Sequence, residues 1–232
     1  TFGSLFYIVG FILAKGIPYI TPEMFAWKYT TDNVSLMPSL ITTFIVVGMT
    51  LLIATPLGVF TGFYLVEYAQ KGNKVVEVIR IATDTLAAVP SIVYGLCGML
   101  FFVTFLNFQY SVLAGVLTSV IMVLPLIIRS TEEALLSVND SLREASFALG
   151  AGKLRTIFRV ILPVSMPGIL SGVILASGRV VGETAALLYT LGSSTNLPDS
   201  LFSSGRTLAL HMYVLSSEGM HVNESYATGV VL

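Results

Sequence analysis

Gly168-Ile-Leu-Ser-Gly-Val-Ile-Leu-Ala-Ser-Gly-Arg-Val-Val-Gly-Glu-Thr-Ala-Ala-Leu-Leu-Tyr-Thr-Leu191 is an apolar run carrying two charges, Arg179 and Glu183. Its length suffices to cross a bilayer as one helix. A charge at the centre of such a helix costs about 2.5–3.5 kcal/mol, so the pair costs roughly 5–7 kcal/mol. The ten Leu, Ile and Val residues of the run return about 3–6 kcal/mol. Insertion is close to break-even, so the two charges must face protein or water and not lipid. Residues four apart share a helical face, and one surface of this helix is expected to be polar at mid-membrane. Two readings fit that surface: a solute or ion pathway, or a structural ion pair locking two helices together.

The rest of the chain belongs to the same class. Its 232 residues are 55% hydrophobic and 11% charged, with a mean hydropathy of +0.86, as in polytopic membrane proteins. Further apolar runs cover Phe2–Ala14, Leu40–Val66, Ala87–Leu106 and Val112–Ile128, with a short stretch from Tyr226 to Leu232. Counting Gly168–Leu191, the middle four reach spanning length. Phe2–Ala14 is too short to cross alone, and it lacks the basic start and cleavage site of a signal peptide. The expected fold is an all-α polytopic transmembrane helix bundle, one domain over residues 1–232. It should have six spans when complete, with both ends truncated.

Basic residues orient the bundle. The loop Glu67–Thr85 carries Lys71, Lys74 and Arg80, and Arg129–Ser165 carries Arg129, Arg143, Lys153, Arg155 and Arg159. Two spans separate these loops, so they share a side. Only Lys15, Lys28 and Arg206 lie opposite, which puts residues 129–165 in the cytoplasm.

Several function classes drop out. A net charge of -1 argues against nucleic acid, and the lone Cys97 excludes an internal disulfide. No His/Cys cluster has metal-ligand spacing, so neither a metal site nor a catalytic constellation is expected. On the outer side, Trp27, Tyr19, Phe25 and Tyr29 have the amphipathic character of interface aromatics. Thr207–Leu215 is expected to be a short helix lying on the surface, with His211 and His221 as exposed or packed residues. Small-residue pairs at Gly58/Gly62, Gly168/Gly172 and Gly178/Gly182 allow close helix approach and argue for contacts beyond this chain. Pro90 and Pro125 fit helix starts and kinks.

Residues 129–165 form the one long polar segment on the inner side. Asn139-Asp140-Ser141 supplies N-cap residues, with Glu144 at capping-box distance from Ser141. Leu142, Ala145 and Leu149, then Leu154, Ile157, Phe158 and Ile161, recur at helical spacing around Gly150-Ala-Gly152. The segment reads as helix, glycine bend, helix. Its apolar face fits either its own bundle or the groove of a partner. Gly150-Ala-Gly-Lys153 is not a phosphate-binding loop, because Phe147 and Leu154 stand where that loop needs Gly and Ser or Thr.

Glu144-Ala-Ser-Phe-Ala-Leu-Gly150, followed after nine residues by Val160-Ile-Leu162-Pro163, resembles the EAA loop of ABC-importer permeases. That motif runs Glu-Ala-Ala, three residues, Gly, nine residues, Ile, any residue, Leu-Pro. Ser146 replaces its second Ala and Val160 its Ile. The resemblance implies an ABC type I importer permease-like bundle whose loop docks in a cleft of a cytoplasmic ATP-binding subunit. Glu144, Ala145, Gly150, Leu162 and Pro163 inherit that coupling role.

Gly178-Arg-Val-Val-Gly-Glu-Thr-Ala-Ala-Leu-Leu188 resembles the Arg-Ala-x-Gly-Glu-Thr-Ala-x-Leu-Leu segment of phosphate-importer permeases, with Val180 in place of a small residue. Ser204–Tyr213 and Ser216-Ser-Glu218 are similar to the A-type of their two permeases. The resemblance implies half of an ATP-driven phosphate pathway in a bacterial or archaeal cytoplasmic membrane. The implied partners are a second homologous permease, an ATP-binding subunit dimer, an extracytoplasmic phosphate-binding protein and membrane lipid. No cofactor is implied here, ATP belonging to the partner, and the chain is no enzyme. Arg179 would attract the anion, Glu183 would partly neutralise Arg179, and Arg129 is a weaker candidate at the exit. The rivals are a permease for molybdate or sulfate, and an ATP-independent secondary transporter or channel.

Overall fold

The computed structural model describes residues 2–69, 73–219 and 221–232; Lys71, one of the basic loop residues, lies outside them. Every regular element among the described residues is helical. Helix α1 (Phe2–Gly16) leads through short 3-10 turns to α2 (Met37–Phe63), which continues as a π-helical turn, Tyr64–Tyr68. Then come α3 (Lys74–Ala88), α4 (Ser91–Gly98) with a π-helical extension to Phe105, and α5 (Val112–Leu136). Short α6 (Asp140–Ala148) and α7 (Lys153–Thr156) follow, and a π-helical segment, Ile157–Ile161, joins α7 to α8 (Leu162–Val181). The chain ends with α9 (Ala185–Thr190), α10 (Leu208–Glu218) and α11 (Val222–Val231).

Four helical stretches are long and apolar enough to cross a membrane: Phe2–Tyr19, Met37–Tyr68, Val112–Leu136 and Lys153–Val181. A fifth results if Lys74–Ala88 and Ser91–Phe105 count together. This corrects the expectation that the first run is too short. Lys15 and Gly16 stay in the helix and Ile17–Tyr19 adds a turn, because lysine can bury its stem while its ammonium reaches water. The break before α4 is where proline puts it. Val89 and Pro90 are both extended, since the residue before a proline is pushed out of the helical region.

The charged run is not one helix either. It starts further back, at Lys153, and α8 stops at Val181. Gly182 has weak helix propensity, and the Glu183 carboxylate accepts the Ala186 N–H at 2.9 Å. That bond supplies a first-turn N–H of α9 with an acceptor. Arg179 and Glu183 therefore lie on two different helices.

The chain divides into two compact units. The first comprises Thr1–Thr50, Pro90–Ser119 and Val180–Leu232. Within it α1 packs on α11, α10 on α11, and α4 on α9, where Gly95 meets the backbone of Ala186. Met24, Leu36, Leu208 and Ala227 form a core, and the Thr43 hydroxyl accepts the Leu208 N–H at 2.8 Å. The expected surface helix is thus corrected. Leu208, Ala209, Leu210, His211 and Leu215 of α10 are all buried, because α11 and the residues around Thr43 cover them.

The second unit comprises Leu51–Val89 and Val120–Arg179. Its centre is the C-terminal half of α5. Gly58 and Gly62 lie against Ile127 and Thr131 on one side, and Gly168 and Gly172 against Ala134 and Ser130 on the other. These two glycine pairs serve packing inside the chain, not contacts beyond it; Gly178 meets nothing within 4 Å. Phe63, Leu135, Val138, Ile157, Ile161 and Ile169 complete the core.

Candidate functional site

Arg179 sits in the last turn of α8, half-buried. No hydrogen bond or ion pair to it occurs among the described residues. Glu183 is buried, 7% exposed, and its carboxylate is satisfied by the start of α9 and by no cation among the described residues. Among the described residues neither half of the expected pair has a partner of opposite charge. Arg179 is left as a half-exposed cation at the end of a candidate span. Arg129 differs from it, because Asp84 pairs with it at 2.8 Å, both side chains being about half exposed.

The loop of residues 139–163 is built locally. Asn139 is the N-cap of α6, its side chain accepting the Ser141 N–H at 3.0 Å. Ser141 is therefore inside the helix, and the Ser141/Glu144 capping box is not formed; Glu144 is exposed. Gly150 turns the chain at φ +79°, a conformation that only glycine adopts without penalty. Across that turn the Ser146 and Thr156 hydroxyls are hydrogen-bonded at 2.8 Å. The departure of Ser146 from the EAA pattern thus supplies a buried clasp between α6 and α7. Glu144, Ala145, Gly150 and Pro163 are exposed, whereas Leu162 is half-buried against the core around Ile157 and Ile161.

Arg143 counted in the sequence only as a loop charge. In the structure its Nε and Nη2 donate to Oε1 of Glu67 at 3.1 and 3.0 Å. Its remaining N–H groups reach the carbonyls of Val138 and Leu135 and the carboxylate of Asp140. One guanidinium therefore ties α6 to the ends of α2 and α5, a use of the planar fork that lysine cannot match. Glu67 and Arg143 are 76 residues apart, and no sequence pattern joins them.

Arg206 and His211 were also missed. Arg206 is buried, and its Nε and Nη2 donate to the carbonyl of Ser193 at 3.1 and 2.9 Å. Its Nη1 donates to Nδ1 of His211 at 3.2 Å, which leaves the imidazole proton on Nε2. The His211 ring meets Tyr29 edge to face. Burial, and secondarily the Arg206 charge, push His211 down to about 4, and burial also lowers Arg206. The only sequence signal here was the resemblance of Ser204–Tyr213. Among the described residues no group of three or more His, Cys, Asp or Glu side chains could hold a metal.

The family model described as "binding-protein-dependent transport system inner membrane component" matches residues 54–228. The chain belongs to this family. It is 35% identical over 228 residues to the probable ABC transporter permease protein YqgI of Bacillus subtilis, which covers 92% of this chain and 77% of that protein. It is 35% identical over 188 residues to the phosphate transport system permease protein PstA of Haemophilus influenzae, covering 80% of this chain and 66% of that one. With PstA 1 of Mycobacterium tuberculosis (strain ATCC 25618 / H37Rv) it shares 42% over 160 residues, 69% of this chain and 51% of the relative. The chain thus spans only about half the length of the mycobacterial relative.

Solved structures agree on the fold. A bacterial ABC transporter involved in the import of the acidic polysaccharide alginate matches with a TM-score of 0.66 at 14% identity, over 97% of this chain and 82% of that one. The MetNI methionine ABC transporter matches with a TM-score of 0.58 at 19% identity, over 84% of each chain. As a permease of this family the chain is a multi-pass component of the inner membrane. A self-contained secondary transporter or channel is set aside by that membership, and so is a membrane enzyme.

Proposed function

We propose that this permease is a transmembrane subunit of an ATP-driven phosphate importer, forming half of the pathway in a six-span bundle. It would pair with a second permease and with two ATP-binding subunits that carry the nucleotide. An extracytoplasmic phosphate-binding protein would deliver the anion. The phosphate reading rests on the phosphate transport for which the PstA relatives are named and on the Gly178–Leu188 resemblance. It takes precedence over sulfate or molybdate for that reason.

The observation that carries the coupling role is the surface around Gly150. Leu149 is 89% exposed and Phe147 48% exposed, and both lie outside every helix with spanning length. An exposed apolar cluster on a helix–turn–helix outside the spans is what a protein groove accepts. Closure of the ATPases would pull residues 144–163. Arg143, bonded to Glu67, would pass the movement to the end of α2.

Arg179 would supply the positive charge for an anion stripped of water. Glu183 would act by holding the start of α9, and Arg129, neutralised by Asp84, would play a lesser part at the exit. The test is co-purification of the complete transporter in nanodiscs with ATP hydrolysis measured. Phosphate-loaded binding protein should stimulate hydrolysis; stimulation by a sulfate-loaded protein alone would overturn the reading.

A further inference from the structure

In the first unit, the segment after α9 borders an open depression of about 700 Å³. Four serines line it, Ser193, Ser194, Ser203 and Ser204, with Tyr110 and Gln109, and no carboxylate does among the described residues. The walls are held in place. The Val112 N–H at the start of α5 donates to the Ser203 carbonyl at 3.0 Å. The Ser204 hydroxyl donates to the Leu191 carbonyl at 2.9 Å, and Gly192 turns at φ +88°.

The donors on these walls lack acceptors. Among the described residues the N–H groups of Ser193, Ser194 and Ser204 and the Ser193 hydroxyl have no hydrogen-bond partner. Behind them lies Arg206, buried, with two of its N–H groups on the Ser193 carbonyl. The peptide that carries this carbonyl also carries the Ser194 N–H, so the guanidinium polarises that N–H and strengthens it as a donor. No carboxylate pairs with Arg206 among the described residues. Glu218 acts on Arg206 only through space, without an ion pair; a buried cation backing donors without acceptors suits an anion with several oxygens.

We propose that this depression is a subsite for a tetrahedral oxyanion, inorganic phosphate. It rests on the phosphate reading above. Hydroxyl and N–H donors hold the anion, and Arg206 contributes its charge through the Ser193–Ser194 peptide without being reached by solvent. Such a hold is weak, as passage onward requires.

Ser193 is exposed and its hydroxyl is unbonded, so Ser193→Asp leaves the fold intact while setting a carboxylate on the wall; Ser194→Asp does the same from the next residue. Asn196→Asp, in the same segment but outside the depression, carries the same added charge. In nanodiscs holding the assembled transporter without binding protein, the ³¹P line of inorganic phosphate should broaden with wild type and Asn196→Asp. It should stay sharp with Ser193→Asp and Ser194→Asp. In proteoliposomes supplied with the binding protein, ATP-driven uptake should fall at least about tenfold in those two variants, from like-charge repulsion. Absence of broadening in wild type, or broadening that survives both wall variants, overturns the subsite. Wild-type uptake of phosphate with all variants equal overturns the subsite alone. No phosphate uptake by wild type overturns the importer reading and the subsite together.

Discussion

Arg179 has no partner among the described residues, so its replacement strands no buried counter-charge. Arg179→Gln should leave assembly intact and lower phosphate uptake about 10- to 100-fold, the worth of one charge-assisted hydrogen bond. Adding Glu183→Gln should not restore it; full recovery in the double variant would mean a structural pair after all. Glu183→Ala is different in kind. It leaves the Ala186 N–H without its acceptor and should cost about 1–3 kcal/mol in thermal unfolding. His211 gives a pH signature. Its folded value, about 4, lies below its ordinary 6.5, with Arg206 and Tyr29 facing the ring. As pH falls, the unfolded chain takes up the proton first. Stability should be flat above about pH 6.5 and drop by roughly 3 kcal/mol on the way to about pH 4. The drop should vanish in His211→Gln, and an identical pH slope in both proteins would contradict the assignment. Arg179 and Glu183 were legible as charges in an apolar run, but the cover over His211 was not, because a histidine in an apolar segment gives no sign of what packs on it.

At the level of the helices, local chemistry was legible and distant packing was not. The break at Pro90 and the helix–turn–helix around Gly150 follow from residues next to one another. The stop at Gly182 was hidden because the run stays apolar on both sides of it. The burial of α10 depends on Thr43, 165 residues away. Glycines show the same division, since spacing marks a close approach without saying what is approached. A Cβ on Gly62 would lie 2.7 Å from Thr131 Cγ2 and 3.3 Å from the Ile128 carbonyl. Gly62→Val should therefore destabilise by about 1–3 kcal/mol through overpacking. Gly178→Ala meets open space and should raise stability slightly, by about 0.5–1 kcal/mol; equal melting temperatures for the two variants would refute this packing. Gly150→Leu also meets open space, but at φ +79°. Its effect comes from left-handed strain of about 1–2 kcal/mol and from a new side chain on the exposed turn. The variant should insert in the membrane and lose its ATPase; normal transport would count against the coupling role.

For the molecule as a whole, the all-α membrane class was legible because lipid imposes length and apolarity on every span. The division into two units, and the ties from Arg143 to Glu67 and from Arg206 to Ser193, needed coordinates. Charge in such a fold is sparse, so each placed charge constrains function. Arg143 and Glu67 lie with the expected coupling turn, Arg179 ends a span, and Arg206 backs a wall of serines. Among the described residues neither Arg179 nor Arg206 forms an ion pair with a carboxylate. A path that draws in an oxyanion and releases it needs weak positive sites of this kind. The direct measurement is uptake of labelled phosphate, sulfate and molybdate into proteoliposomes holding the assembled transporter with its binding protein, with and without ATP. Phosphate uptake should be saturable and ATP-dependent, and Arg179→Gln should lower it about 10- to 100-fold. ATP-dependent uptake of sulfate or molybdate with none of phosphate would contradict the phosphate reading.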